Sequence, residues 1–139
     1  MISGVRQFFR DRMDVLGFRE HETAFNFEDL ASSILDGSYH ISSGTTLGSP
    51  VNQKSISLDY QIDLRIFKRG YRNTNEALDD LDQVAEDILK DILPSAVRNT
   101  TGIKDIQLES IDRFPLSDSN DNAMYLEMNF TVKLVECFE

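Results

Sequence analysis

The chain has 139 residues, 40% of them hydrophobic and 27% charged. That is enough for one globular domain with its own core, and it excludes a disordered or collagen-like chain. Acidic side chains outnumber basic ones 24 to 14, a formal charge of −10, which argues against a surface built wholesale to grip nucleic-acid phosphates.

Cys137 is the single cysteine, so no disulfide can form within the chain and a reducing compartment is the default expectation. The opening residues interrupt their apolar side chains with Arg6, Arg10, Asp11 and Arg12, unlike the apolar core of a signal peptide. No run of about 18 apolar residues occurs, so no membrane partner is expected. One domain over residues 1–139 is expected, folded as a soluble species.

From Ser3 to Leu16 the apolar residues Val5, Phe8, Phe9, Met13, Val15 and Leu16 fall mostly at helical spacings, with Ser3 as a candidate cap. A second, shorter helix is predicted from Phe27 to Asp36, capped by Asn26 and ended by Gly37. Tyr39 and Ile41 suggest a brief strand. The segment from Ser42 to Lys54 then brings Gly44, Gly48 and Pro50 among serines and threonines, and it reads as a long loop.

Between Ser55 and Phe67 the alternation is regular. Ile56, Leu58, Tyr60, Ile62, Leu64 and Ile66 share one face, while Ser57, Asp59, Gln61, Asp63 and Arg65 share the other. Such a strand reaches about 43 Å at about 3.3 Å per residue, so it must bend or project beyond its own domain. After the turn KRGYRN, Asn73 and Glu76 provide the side chains of a capping box. The stripe from Ala77 to Ile92 predicts an amphipathic helix closed by Pro94, with Asp79, Asp80, Asp82, Glu86, Asp87 and Asp91 on its wet side. Two further strands, Ile103 to Phe114 and Met124 to Leu134, predict a long hairpin; Ile111 breaks the parity of Ile106 and Leu108, which places a bulge near Glu109 to Ile111. The fold class is α+β: a two-layer sandwich with a mainly antiparallel sheet of about four strands, covered on one face by an amphipathic helix, with extra N-terminal helices.

Catalytic chemistry finds no constellation. His21 and His40 lack a second His or Cys at ligand spacing, the serines form no nucleophile elbow, and no phosphate-cradling glycine run occurs. Asp118, Asn120 and Asn122 imitate the start of a calcium loop, but Ala123 replaces the glycine of its turn and Asn129 stands where a bidentate carboxylate belongs. Cys137 reads as a small apolar filler at a strand end. No catalytic residue, metal or cofactor is therefore assigned, and the chain is expected not to be an enzyme. The candidate interface residues are Thr45, Thr46, Leu47 and Val51 in the long loop and Lys68, Arg69, Tyr71 and Arg72 in the basic turn. The turn suits an acidic protein partner, a nucleic acid gripped by cations around an aromatic, or simply solvent.

The order of a leading helix, the strand SISLDYQIDLRIF, a short turn, the acidic helix NTNEALDDLDQVAEDILKDI and a terminal hairpin ending in YLEMNFTVKLVE resembles the tail terminator proteins of long-tailed bacteriophages, the lambda-type minor tail protein U family. The resemblance covers most of the chain from Ser55 onward and the first helix more loosely. It carries over no individual functional residue, and the region from Phe25 to Lys54 departs from the family's pattern. What it implies is a structural virion protein: a ring, typically of six copies, that caps the tail tube, ends tube polymerisation and offers a surface to the head-side connector. DNA would pass through the ring without sequence-specific binding. The place so implied is the head-proximal end of the virion tail, with assembly in the host cytoplasm. The alternatives are a neighbouring neck or head-closure connector and, from other classes, a small nucleic-acid-binding module using the turn at 68–72 or a regulatory enzyme subunit.

Overall fold

A computed structural model describes residues 2–21, 36–94, 103–115 and 123–137. In chain order the elements are α1 (Ile2–Val15), β1 (Arg19–Glu20), β2 (Ser38–Asn52), β3 (Ser55–Lys68), α2 (Thr74–Ile92), β4 (Ile103–Pro115) and β5 (Met124–Cys137). The fold is α+β, with two helices and one five-stranded sheet of order β1-β2-β3-β5-β4. All neighbours pair antiparallel except β1, which runs parallel to the start of β2 through Arg19↔Ser38 and Glu20↔Tyr39. Among the described residues no helix is long and apolar enough to cross a membrane.

Each helix forms for a local reason. Asn73 Oδ1 accepts the Glu76 backbone N–H at 2.8 Å, satisfying one of the donors that a helix start leaves unpaired. The reciprocal half of the expected capping box is absent, because the Glu76 carboxylate accepts from Arg72 Nε at 2.8 Å instead. Helix α1 begins at Ile2, so Ser3 lies inside it and is not its cap. Its end is a left-handed turn: Gly17 adopts φ +90°, and the Phe18 N–H reaches back to the Met13 carbonyl at 3.1 Å, the wrap that glycine permits just past a helix.

The core follows the strand parity. Leu58, Tyr60, Ile62, Leu64 and Ile66 of β3 and Leu126, Met128, Phe130, Val132 and Leu134 of β5 form one buried cluster with Val5, Phe9 and Met13 of α1 and Leu81, Ala85, Ile88 and Ile92 of α2. Phe9 meets Phe130 ring to ring at 5.4 Å. Arg12 of α1 donates to both Asp91 carboxylate oxygens of α2, at 2.7 and 2.6 Å, and this two-pronged geometry ties the helices together. Arg113 falls on the core-side parity of β4, opposite Leu126, and donates from Nε to Asp82 of α2 at 2.8 Å. The bulge expected near Glu109 lies between Leu108 and Ser110. With Lys90 on Glu86 and Lys68 near Asp80, much of the acidic side of α2 is paired with cations from its own turns and from neighbouring elements.

One expectation is overturned. The segment 42–54 is not a long loop, because Ser38–Asn52 is a continuous strand paired with β3 from Ser38↔Phe67 to Asn52↔Ser55, and only Gln53 and Lys54 make the turn. The physical reason is the neighbour. An apolar-to-polar pattern is not needed where a long strand already offers its backbone donors and acceptors, and glycine fits where a bulky side chain must lie across the chain. The predicted helix from Phe27 to Asp36, apart from Asp36 itself, which lies in a turn, and the segment with Asp118, Asn120 and Asn122 lie outside the described residues.

Candidate functional site: the β-arm and the basic turn

Beyond Ser42 the β2 strand turns wholly to solvent, while its partner β3 still buries Ile62, Tyr60 and Leu58 in the core; this outer part of the hairpin forms an arm. All ten residues of β2 from Ser43 to Asn52 are exposed, although β3 keeps its register with β5 from Ser55↔Cys137 to Lys68↔Met124 without a shift. Strand β2 of the arm is therefore backed by β3 and β5 along its length, and by β4 as far as the level of Gly48, and the arm is stiffer than a lone hairpin.

The glycines explain how β2 follows β3 so closely. A Cβ on Gly48 would lie 3.0 Å from Ile56 Cδ1 and 3.4 Å from Leu58 Cδ2, and one on Gly44 would lie 3.0 Å from Gln61 Oε1. Side chains of β3 thus lie across a bare β2 backbone, a close approach that glycine allows. Ser43 Oγ and Tyr60 Oη share a hydrogen bond of 2.8 Å at the root of the arm. At its tip the Lys54 N–H donates to Asn52 Oδ1 at 2.8 Å, an Asx-type turn. A register shift between Ser43 and Thr46 marks a bulge containing Gly44 and Thr45.

The four loop candidates are thus carried on a strand. Thr45, Thr46, Leu47 and Val51 are all exposed, Leu47 at 60% and Val51 at 59%. From Ile41 to Gln53 there is no charged side chain, in a chain of which 27% is charged. Cys137, expected as a small apolar filler, is exposed at the end of β5 opposite Ser55. The strand carries it past the core, where nothing remains for a filler to fill.

The basic turn is organised inward. Tyr71 is 8% exposed, and its hydroxyl donates to Asp80 Oδ2 at 2.6 Å; burial, then the bond to Asp80 and that carboxylate's charge, push its phenol well above the usual range. Lys68 Nζ lies 3.8 Å from Asp80 and 5.9 Å from the centre of the Phe18 ring. Arg72 pairs with Glu76, and the Arg69 N–H donates to Asp36 Oδ1 at 3.0 Å. The turn is a clasp between β3 and the start of α2, and its aromatic ring is packed rather than presented for stacking. The loop and turn candidates are not one surface: the arm carries the first four, and the opposite end of β3 carries the others.

The sheet face opposite the helices carries a polar ladder. The row His40↔Arg65↔Glu127↔Asp112 crosses four strands, and Arg65 Nε donates to Glu127 Oε1 at 2.7 Å. In the next row Asn129 Nδ2 donates to Ser110 Oγ at 2.6 Å. Burial raises the Asp63 carboxyl above its usual value, with Glu127 adding to the rise and Arg65 opposing it. Burial lowers His40, helped by Arg65 and His21 and opposed by Glu20. At the end remote from the arm, Tyr125 lies between Phe67 and Phe114, with centroids 5.6 and 5.0 Å apart. The alternating polar parity of β3 announces this face, but which charges meet across it depends on a register between strands far apart in sequence.

Among the described residues no group of three or more His, Cys, Asp or Glu side chains is arranged to hold a metal ion. No protein-family model matches the chain, and no curated protein does.

Proposed function

We propose that this chain is a structural assembly subunit of a bacteriophage tail: a tail terminator that forms a ring, caps the tube, ends its polymerisation and joins it to the head-side connector. The observation that carries the reading is the arm. Strands in globular proteins usually run about 5–6 residues, yet β2, β3 and β5 run for 15, 14 and 14 residues. The surplus length is uncharged on β2 and exposes Leu47 and Val51. Strand held rigidly outside its own core is suited to making contacts with neighbouring chains. The order of elements adds support, since it resembles the terminator family in its helix, long strand, acidic helix and terminal hairpin.

The test is assembly with and without the tube protein of the same particle. Light scattering and electron microscopy are expected to show rings of this chain, either free or on tube ends, and tubes that stop growing when the chain is added. A chain that stays monomeric beside growing tubes overturns the reading. Binding to an isolated connector with no effect on tube growth would assign it to the neck instead.

A further inference from the structure

We propose that the arm edge of β2 pairs with the β4 edge of a second copy, so that neighbouring sheets run together as one continuous antiparallel sheet around the ring. The inference rests on the ring reading and says which backbone edges make it.

Three observations lead to these edges. The first is polarity: β2 is antiparallel to β3, β3 to β5 and β5 to β4, so β2 and β4 point in opposite directions at the two sides of one sheet. Copies related by rotation about a common axis then bring the β2 of one against the β4 of the next as an antiparallel pair, the arrangement β-hydrogen bonding favours.

The second is level. Following the pairs across the sheet, Gly48 stands level with Leu58, Leu134 and Ile103, Thr46 with Tyr60, Val132 and Ile106, and Ile41 with Leu64, Met128 and Ile111. Over that stretch no described strand lies beyond either edge. Among the described residues the same run of sheet is thus unpaired on both sides.

The third is charge and curvature. Charged side chains on an edge discourage indiscriminate pairing, and β4 carries both signs, Lys104 and Arg113 with Asp105, Glu109 and Asp112, so two β4 edges do not readily join each other. The arm edge has no charged side chain from Ile41 to Gln53. A chain of charge −10 repels its copies, and an uncharged strand laid on a mixed-charge one avoids the like-charge contacts that would oppose the join. Both edge strands bulge, β2 between Ser43 and Thr46 and β4 between Leu108 and Ser110, while the central β3–β5 pair is unbroken. Bulges bend and twist strands, and a sheet bent at its joining edges follows a closed path. Pairing of two β2 edges about a two-fold axis would stop at a dimer and leave β4 open.

Disulfide trapping decides it. In a Cys137→Ser background, Gln107→Cys on β4 is combined in turn with Thr45→Cys, Leu47→Cys or Ser49→Cys on the arm, all at exposed positions, because the stagger between copies is free to vary. After mild oxidation at assembling concentration, at least one pair is expected to give a reducible ladder ending at the ring, and each single-cysteine variant no more than a trace of dimer. Strong dimer from an arm cysteine alone overturns the inference in favour of paired arms. Rings seen by light scattering without any ladder overturn it while leaving the ring reading intact. Assembly that occurs only with tube protein and yields no ladder assigns the arm to a tube strand, which also overturns it. A monomer under every condition, with tube present, removes both the inference and the ring reading.

Discussion

The two halves of the β2–β3 hairpin share one backbone ladder and differ in what β2 contributes. In the inner half both strands bury side chains, Tyr39 and Ile41 with Leu64 and Ile66; in the outer half only β3 does, through Ile62, Tyr60 and Leu58, while Leu47 and Val51 of β2 stand in solvent and glycines replace bulk. The difference teaches that a strand's hydrogen bonds do not need a core of their own. Once β3 is held by β5 over its full length, β2 can be templated along it with side chains chosen for another purpose. The inner half holds the domain together, and the outer half is free to be selected for contact.

The comparison breaks most visibly by emptying the core. Phe130 lies on β5, 1% exposed and against the ring of Phe9, and Phe130→Ala is expected to lower stability by about 3–5 kcal/mol in denaturant unfolding. The arm should melt with the core, because its ladder runs into the same strands. Arm amides that kept their protection from hydrogen exchange while the core unfolded would show that the arm stands by itself.

At the junction of the halves sits Asp63, paired with Ser42, whose carboxyl is raised mainly by burial. The folded protein therefore holds the Asp63 proton to higher pH than the unfolded chain does. The stability this group contributes is present below its unfolded value and is lost as pH rises through the raised folded value. Asp63→Asn removes the cost of the charge at neutral pH and is expected to stabilise the protein there by no more than about 0.5 kcal/mol, given solvent screening, with the gain vanishing near pH 3. Urea titrations at the two pH values check it. A larger gain at pH 3 would reverse the sign.

The smallest effect on stability should come from the arm. The double variant Leu47→Ser with Val51→Ser is expected to unfold within about 0.5 kcal/mol of the parent, because both side chains are more than half exposed. Its assembly should nevertheless be lost by light scattering. A stability loss of core size would mean that these residues pack within the subunit.

Several elements were legible because their signal is local. The parity of β3 and β5, the stripe of α2, the Asn73 cap and the bulge near Glu109 all follow from spacing along a few neighbouring residues. Strand β1 has two residues and no periodicity to read. The arm strand was hidden for a different reason. Gly44, Gly48 and Pro50 are loop signals taken alone, and they become strand residues only beside Ile56, Leu58 and Gln61. Thr45, Thr46, Leu47 and Val51 were picked out as a contact segment by composition, but their exposure on a rigid strand was not visible there. In the basic turn the charges were legible, and the packing of Tyr71 on Asp80 was not.

By itself the sequence determined the α+β class with a mainly antiparallel sheet, the two amphipathic helices, the core side of β3 and β5 and the uncharged character of residues 41–53. These depend on periodicity and on the hydrophobic effect acting on one face at a time. Only the tertiary structure decided that β2 runs the length of β3, that Arg65 meets Glu127 and Arg12 meets Asp91, and that β2 and β4 run in opposite directions on the two sides of the β3–β5 pair. Those features arise from hydrogen bonds and charge pairs between segments distant in the chain, and such partners exist only once the strands have been brought side by side.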